Sequence, residues 1–214
     1  MSTFTTDCRR CERLATFLDD VKEKHPDYFC KPVPSFGAAD ARLLIVGLAP
    51  GMHGANATGR PFTGDHAGVL LYETIHATGF SNAPESNSAD DSLQLLDARI
   101  TNAVRCLPPE NKPVGAEVNE CNDFLAEELD TLVDGAVVLV LGGIAHKAVI
   151  KALGLRQADY KFGHAAEFKL PTKDGRTLNL VASYHCSRYN TQTRRLTPEM
   201  FLDVFQRARA ILSD

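Results

Sequence analysis

Apolar residues fall along this chain in two rhythms. Residues 43–46 (LLIV) and 136–141 (AVVLVL) are short runs apolar on both faces, the pattern of central strands in a buried parallel sheet. Residues 99–104 (RITNAV) and 177–183 (TLNLVAS) complete a set of four expected strands. Between them, apolar positions recur at helical spacing. Leu14, Phe17, Leu18 and Val21 mark a helix within residues 8–24. Leu70, Leu71, Thr74 and Ile75 mark another over 65–78, stopped by Gly79. Further helices are expected over 114–133, over 144–153 after Gly142-Gly143, and from Thr197-Pro198 to about Leu212. The turn residues 172–176 (TKDGR) signal a hairpin. Residues 25–40 read as a connector and 81–97 as a polar surface loop. Strands alternating with helices predict an α/β fold: a three-layer α/β/α sandwich around a central four-stranded parallel sheet, in a single domain over residues 1–214.

Two stretches interrupt these rhythms. Residues 47–65 read GLAPGMHGANATGRPFTGD, with five Gly among 19 residues. A loop this long inside a compact domain is usually functional, and Gly lets a ligand approach the backbone closely. Residues 184–195 (YHCSRYNTQTRR) form a second loop dense in polar groups. Both follow strands, and open α/β sheets bind ligands at the C-terminal ends of their strands.

Composition changes this picture little. The 214 residues are 44% hydrophobic and 23% charged, with a net charge of −4. Net acidity argues against nucleic acid as a partner, but a local basic stripe suffices for binding. The N-terminus MSTFTTDCRR lacks an apolar signal region, and no apolar run is long enough to cross a membrane. These features lead us to expect an intracellular, cytoplasmic protein. Cysteines in that compartment serve more often as metal ligands or catalysts than as disulfides. Four of the six form a pattern: Cys8-x2-Cys11, then Cys106-x14-Cys121. Four thiolates suit an iron–sulfur cluster or zinc; the plain alternative is a chance pair plus core thiols. Cys30 reads as structural, and Cys186, in the second polar loop, as exposed.

On these residues the chain resembles the iron–sulfur uracil-DNA glycosylases of the type-5 branch. The likeness is carried by residues 47–65, by the tetrad Cys8, Cys11, Cys106 and Cys121, by residues 100–109 (ITNAVRCLPP), and by His185 in YHCSRYNTQTRRLT. The resemblance implies an enzyme that flips out and hydrolyses uracil, with hypoxanthine or other deaminated bases as further substrates. It implies double-stranded DNA as partner, with single strands as a second form, and a monomer that does not act on membranes. It favours a structural four-iron, four-sulfur cluster over zinc at the four cysteines. A damage-binding module that keeps the pocket but cleaves poorly is the competing reading. A nucleotide hydrolase fits less well, because the first loop lacks the Gly-Lys-Ser/Thr ending of a phosphate-binding loop.

Excision needs donors aimed at the charge on the departing base, a ring to stack on it, and a carboxylate near the sugar. The resemblance assigns these roles to particular residues, and each has a plainer alternative. Phe62 would stack on the base or simply pack the loop. Asn102 would read the base edge or bond a neighbouring loop. His185 would donate to a base carbonyl or serve as a structural donor. Asp65 would activate water or merely cap the following helix; no other carboxylate stands in the first loop. Ala49, Gly51, His53 and Asn56 are further base-binding candidates. Ser187, Arg188, Arg194 and Arg195 would contact DNA. Arg9, Arg10, Arg13, Arg207 and Arg209 read first as solvated charges. Two departures from the family pattern stand out: Cys186 replaces the usual Pro, and Arg194 a common Gly.

Overall fold

The computed structural model describes residues 3–213. In chain order the elements are α1 (Glu12–Lys24), β1 (Phe36–Gly37), β2 (Leu43–Gly47), α2 (Ala55–Thr58), α3 (His66–Ala77), β3 (Ala98–Asn102), α4 (Gly115–Asp130), β4 (Val137–Leu141), α5 (Gly143–Ala152), β5 (Glu167–Pro171), β6 (Thr177–Ser183), α6 (Arg188–Gln192) and α7 (Pro198–Ser213). They build one mixed sheet in the order β1-β3-β2-β4-β6-β5. Neighbours among β3, β2, β4 and β6 run parallel. The outer strands β1 and β5 are antiparallel.

The sheet thus has six strands where four were expected. The additions are peripheral, for a physical reason. β1 is two residues inside the proline-rich connector, too short to show a two-residue period. β5 is the first arm of the hairpin and is largely exposed, so it lacks an apolar run.

β2 and β4 are buried at every position, as both-face apolar runs require. Their side chains alternate between two layers. Leu43 and Ile45 pack with Leu71 and Ile75 of α3 and with Phe201 and Phe205 of α7. Leu44 and Val46 pack on the other face with Leu125 and Leu129 of α4 and with Val149 of α5. A third apolar group joins Leu14, Leu18 and Val21 of α1 to Val104, Phe124 and the thiols of Cys106 and Cys121.

Several local expectations need correction. The two irregular loops each contain a short helix, α2 and α6. The fourth helix ends at Asp130, short of the expected 133. Residues 81–97 are the expected surface loop, mostly exposed and outside the named helices and strands, with its ends tied together: Ser81 bridges Leu95, and Leu96 N donates to the Phe80 carbonyl at 2.8 Å. Among the described residues, no helix is long and apolar enough to cross a membrane.

Candidate active site

The four parallel strands end together. Gly47 of β2 is in register with Asn102 of β3, and Leu141 of β4 with Ser183 of β6. The chain leaves these ends through Leu48, Gly142 and Tyr184, all of which line a single cavity of about 780 Å³. Asp65, Asn102, His185, Phe62, Ala49, Gly51 and His53 face the same cavity, as do Ser187, Arg188 and Arg195. The fold therefore gathers ten of the twelve residues singled out for base and DNA contact. The other two lie elsewhere. Asn56 is fully buried behind the loop, where its Nδ2 donates to Cys30 Sγ at 3.5 Å. Arg194 is exposed away from the lining, with φ +56. That left-handed conformation is one that favours glycine, which makes sense of the family's residue there.

Asn102 and His185 carry the strongest polar signals. Asn102 is 4% exposed, and its Oδ1 is buried without a hydrogen-bond partner. His185 Nδ1 is likewise buried and unpartnered. Buried polar atoms left unpaired are rare, and in a cavity they point to a ligand. Burial lowers the His185 pKa from 6.5 to about 4, so its imidazole is neutral near pH 7. Its loop is fixed from behind: Asn190 Nδ2 donates to the His185 carbonyl at 2.8 Å. His66 Nε2 and Thr191 Oγ1 share a 3.2 Å hydrogen bond that ties the second loop to α3.

Phe62 is 6% exposed and stacks beside His185, with ring centroids 6.0 Å apart. Gly47 makes room for this arrangement: a Cβ there would sit 2.4 Å from Asn102 Oδ1 and 2.7 Å from the Phe62 ring.

Asp65 performs the N-cap role: Gly68 N donates to its Oδ1 at 2.9 Å. Its other oxygen faces Gly51 and Gly54, where added Cβ atoms would lie 3.3 and 2.5 Å away. Burial raises the Asp65 pKa, partly offset by the N–H groups of Gly68 and Ala67. Capping thus occupies one oxygen and leaves the other turned toward the loop that walls the cavity.

Cys186 corrects an expectation. It is fully buried, packed with Phe62, Leu71 and Leu196, and its thiol pKa is pushed up by burial and then by the Asp65 charge. Polar neighbours in sequence concealed an inward-facing position. Arg195 lies over the Tyr184 ring at 4.6 Å. The other arginines are engaged within the chain: Arg9 with Asp19, Arg10 with Glu120, Arg13 with Glu117, Arg207 with Glu167, and Arg209 over Phe80. Gly142, Ile144 and Phe162 also line the cavity. They carry no polar signal; the available clue was a strand running into Gly-Gly.

Cys8, Cys11, Cys106 and Cys121 line one small cavity between α1 and α4, remote in sequence but adjacent in space. Burial, then the neighbouring Cys121, pushes the Cys11 thiol up to about 11, and burial raises Cys106 and Cys121 too. A cationic centre among them would reverse that penalty, so the donor set fits a thiolate-ligated metal group. Among the described residues, no three His, Cys, Asp or Glu side chains close on one point as a single ion requires. The four thiols instead surround a space.

Residues 34–209 match the model of the uracil DNA glycosylase superfamily. The chain is 46% identical to the type-5 uracil-DNA glycosylase of Thermus thermophilus, over 96% of this chain and 94% of that one. It is 40% identical to the type-5 enzyme of Pyrobaculum aerophilum, over 95% and 88%. A type-4 uracil-DNA glycosylase of Archaeoglobus fulgidus is more distant, at 27% over 83% and 75%. With its cavity at the parallel strand ends and its match over most of its length, the chain belongs to the uracil DNA glycosylase superfamily, among the type-5 members.

Proposed function

We propose that this chain is a monofunctional glycosylase that removes uracil from DNA, acting as a single unit on a base flipped out of the duplex. The observation that carries the reading is the meeting of Asp65, Asn102, Phe62 and His185 around one cavity. The bond broken is that between the sugar C1′ and the base N1, with water supplying the new oxygen at C1′. Phe62 gives the base a ring to stack on. Asn102, with an unpaired buried Oδ1, pairs with the base edge. The neutral His185 donates to a base carbonyl as negative charge grows there, joined by backbone N–H groups of Ala49 and of residues 51–53. The free oxygen of Asp65 orients water and faces the positive charge developing on the sugar. Ser187, Arg188 and Arg195 hold phosphates beside the cavity.

The four cysteines would hold a four-iron, four-sulfur cluster, favoured over zinc by the resemblance to type-5 enzymes. Bound there, it would crosslink the start of α1 to β3's exit and to α4, a structural role and not a redox one.

The test is alkali-revealed strand cleavage of labelled duplexes carrying uracil opposite guanine or adenine, hypoxanthine, or thymine opposite guanine. Wild type should cleave the uracil duplexes, and Asp65→Ala should weaken cleavage. Equal cleavage by both removes the role given to Asp65. Binding without any cleavage makes the chain a damage-binding module.

A further inference from the structure

Arg60 and Thr63 flank Pro61-Phe62, and both are buried. Arg60 Nη1 donates to Asp91 Oδ1 at 2.5 Å and to Ser86 Oγ at 3.2 Å, and its Nη2 to the Ala89 carbonyl at 2.6 Å. The guanidinium also lies 4.4 Å from the Phe36 ring centroid. Thr63 shares a 2.6 Å hydrogen bond with Ser86. Asp91 is itself fixed, because its carboxylate accepts from the N–H groups of Asn87, Ser88 and Leu93.

Between these two anchors Phe62 has φ +55. A side-chain-bearing residue holds that left-handed conformation only where its surroundings over-determine it. The Phe62 carbonyl is wedged against Gly68, where a Cβ would come within 1.8 Å of it, and the Pro61 carbonyl accepts from Tyr72 Oη at 2.7 Å. Neither Arg60 nor Ser86 nor Asp91 lines the cavity, and base excision uses none of them directly.

We infer that residues 86–91 are a positioning element for the active site: acting through Arg60 and Thr63, Ser86 and Asp91 hold Phe62 in the backbone conformation that presents its ring beside His185. The value of that ring for catalysis rests on the uracil-excision reading above; the brace itself does not. If Asp91 is removed, Arg60 loses its only carboxylate partner among the described residues, and Phe62 loses the anchor on its N-terminal side. The ring then moves relative to Asn102 and His185 while the DNA-contacting arginines stay in place.

The chain contains no tryptophan, so Phe62→Trp installs a single emitter at this position. In that background Asp91→Ala should move the emission to longer wavelength and raise its quenching by acrylamide, measured well below the unfolding transition. Asp90→Ala, exposed on the same segment, should change neither. Unchanged emission after Asp91→Ala overturns the brace, whatever the enzyme does with DNA. With Phe62 in place, Asp91→Ala should slow single-turnover excision about tenfold and leave affinity for uracil-free duplex unaltered. Added to Phe62→Ala, it should slow excision by less than about twofold more, since the residue it acts through is gone. Equal losses in the two backgrounds overturn the proposal. Should Asp91→Ala fail to fold, Ser86→Ala removes one contact from each anchor and serves the same comparisons. A wild type that excises nothing removes the uracil-excision reading and leaves the fluorescence comparison to decide on the brace.

Discussion

Phe62 and His185 lie with their rings 29° from parallel and centroids 6.0 Å apart, although 123 positions of sequence number separate them. A planar base brought to this corner meets a hydrocarbon face and a polar ring edge together. Stacking a base on an aromatic ring contributes about 1–3 kcal/mol. Phe62→Leu, which keeps the apolar volume, should slow uracil excision by roughly 10–100-fold and change melting temperature little. Single-turnover rates and a thermal melt check this; an unslowed variant would remove the stacking role.

The depressed pKa of His185 has a consequence for stability. Its folded value, about 4, lies below the ordinary 6.5, so the unfolded chain takes up the proton first as pH falls. The contribution is complete above about 6.5 and is lost as pH falls toward about 4. Urea midpoints at pH 7 and at pH 5 should therefore fall further apart in wild type than in His185→Gln. Identical separations would show that His185 is not held neutral by burial.

Gly54 leaves the free oxygen of Asp65 its place. A Cβ there would lie 2.5 Å from that oxygen and 2.7 Å from the Asp65 Cβ, so something must shift. Gly54→Ala should reduce excision by about 100-fold, the scale of a small misplacement of a catalytic group. Gly115→Ala, with nothing within 4 Å of the new methyl, should be silent. An active Gly54→Ala would sink the view that this carboxylate must be held in one position.

The four-thiol cavity predicts a sharp contrast between cysteines. Cys106→Ser should lose iron and acid-labile sulfide and lower the melting temperature. Cys30→Ser, whose thiol accepts from Asn56 and lies outside the four-thiol cavity lining, should keep its metal content. Metal analysis giving zinc in wild type would identify the other thiolate centre.

Arg188 is exposed on α6 at the edge of the cavity. If it contacts one phosphate, Arg188→Ala should reduce the slope of log affinity against log salt by about 0.9, with saturated excision rates unchanged. A slope equal to that of wild type would take Arg188 off the DNA path.

Much of this arrangement was legible in the residues. The both-face apolar runs gave β2 and β4, and the Gly-rich loop and YHCSRYNTQTRR, at strand ends, pointed to the cavity they line. For Asp65 the helix-capping reading holds, with Oδ1 accepting from Gly68 N, while Oδ2 faces Gly51 and Gly54, a division that no linear pattern distinguishes. The errors share a cause. Cys186 was taken for exposed because its neighbours are polar, yet residue-by-residue direction in an irregular loop has no period to read. Residues 81–97 are the surface loop their polarity predicts, yet some of its polar groups also satisfy Arg60 and Thr63, a use that only tertiary structure reveals. β1 escaped notice because two residues of strand are defined by their partner and not by their own sequence.

The margins of the sheet bear on how the protein behaves at high concentration. Unpaired strand edges template the addition of strands from other molecules. Here one outer strand is only two residues long, and the other exposes Glu167 and Lys169 and ends at Pro171, which has no N–H to give. The long apolar strands β2 and β4, the segments most prone to aggregate if bared, are enclosed on both sides by paired neighbours. Colloidal stability in this fold is therefore built into margins too short, or too charged, to recruit another strand.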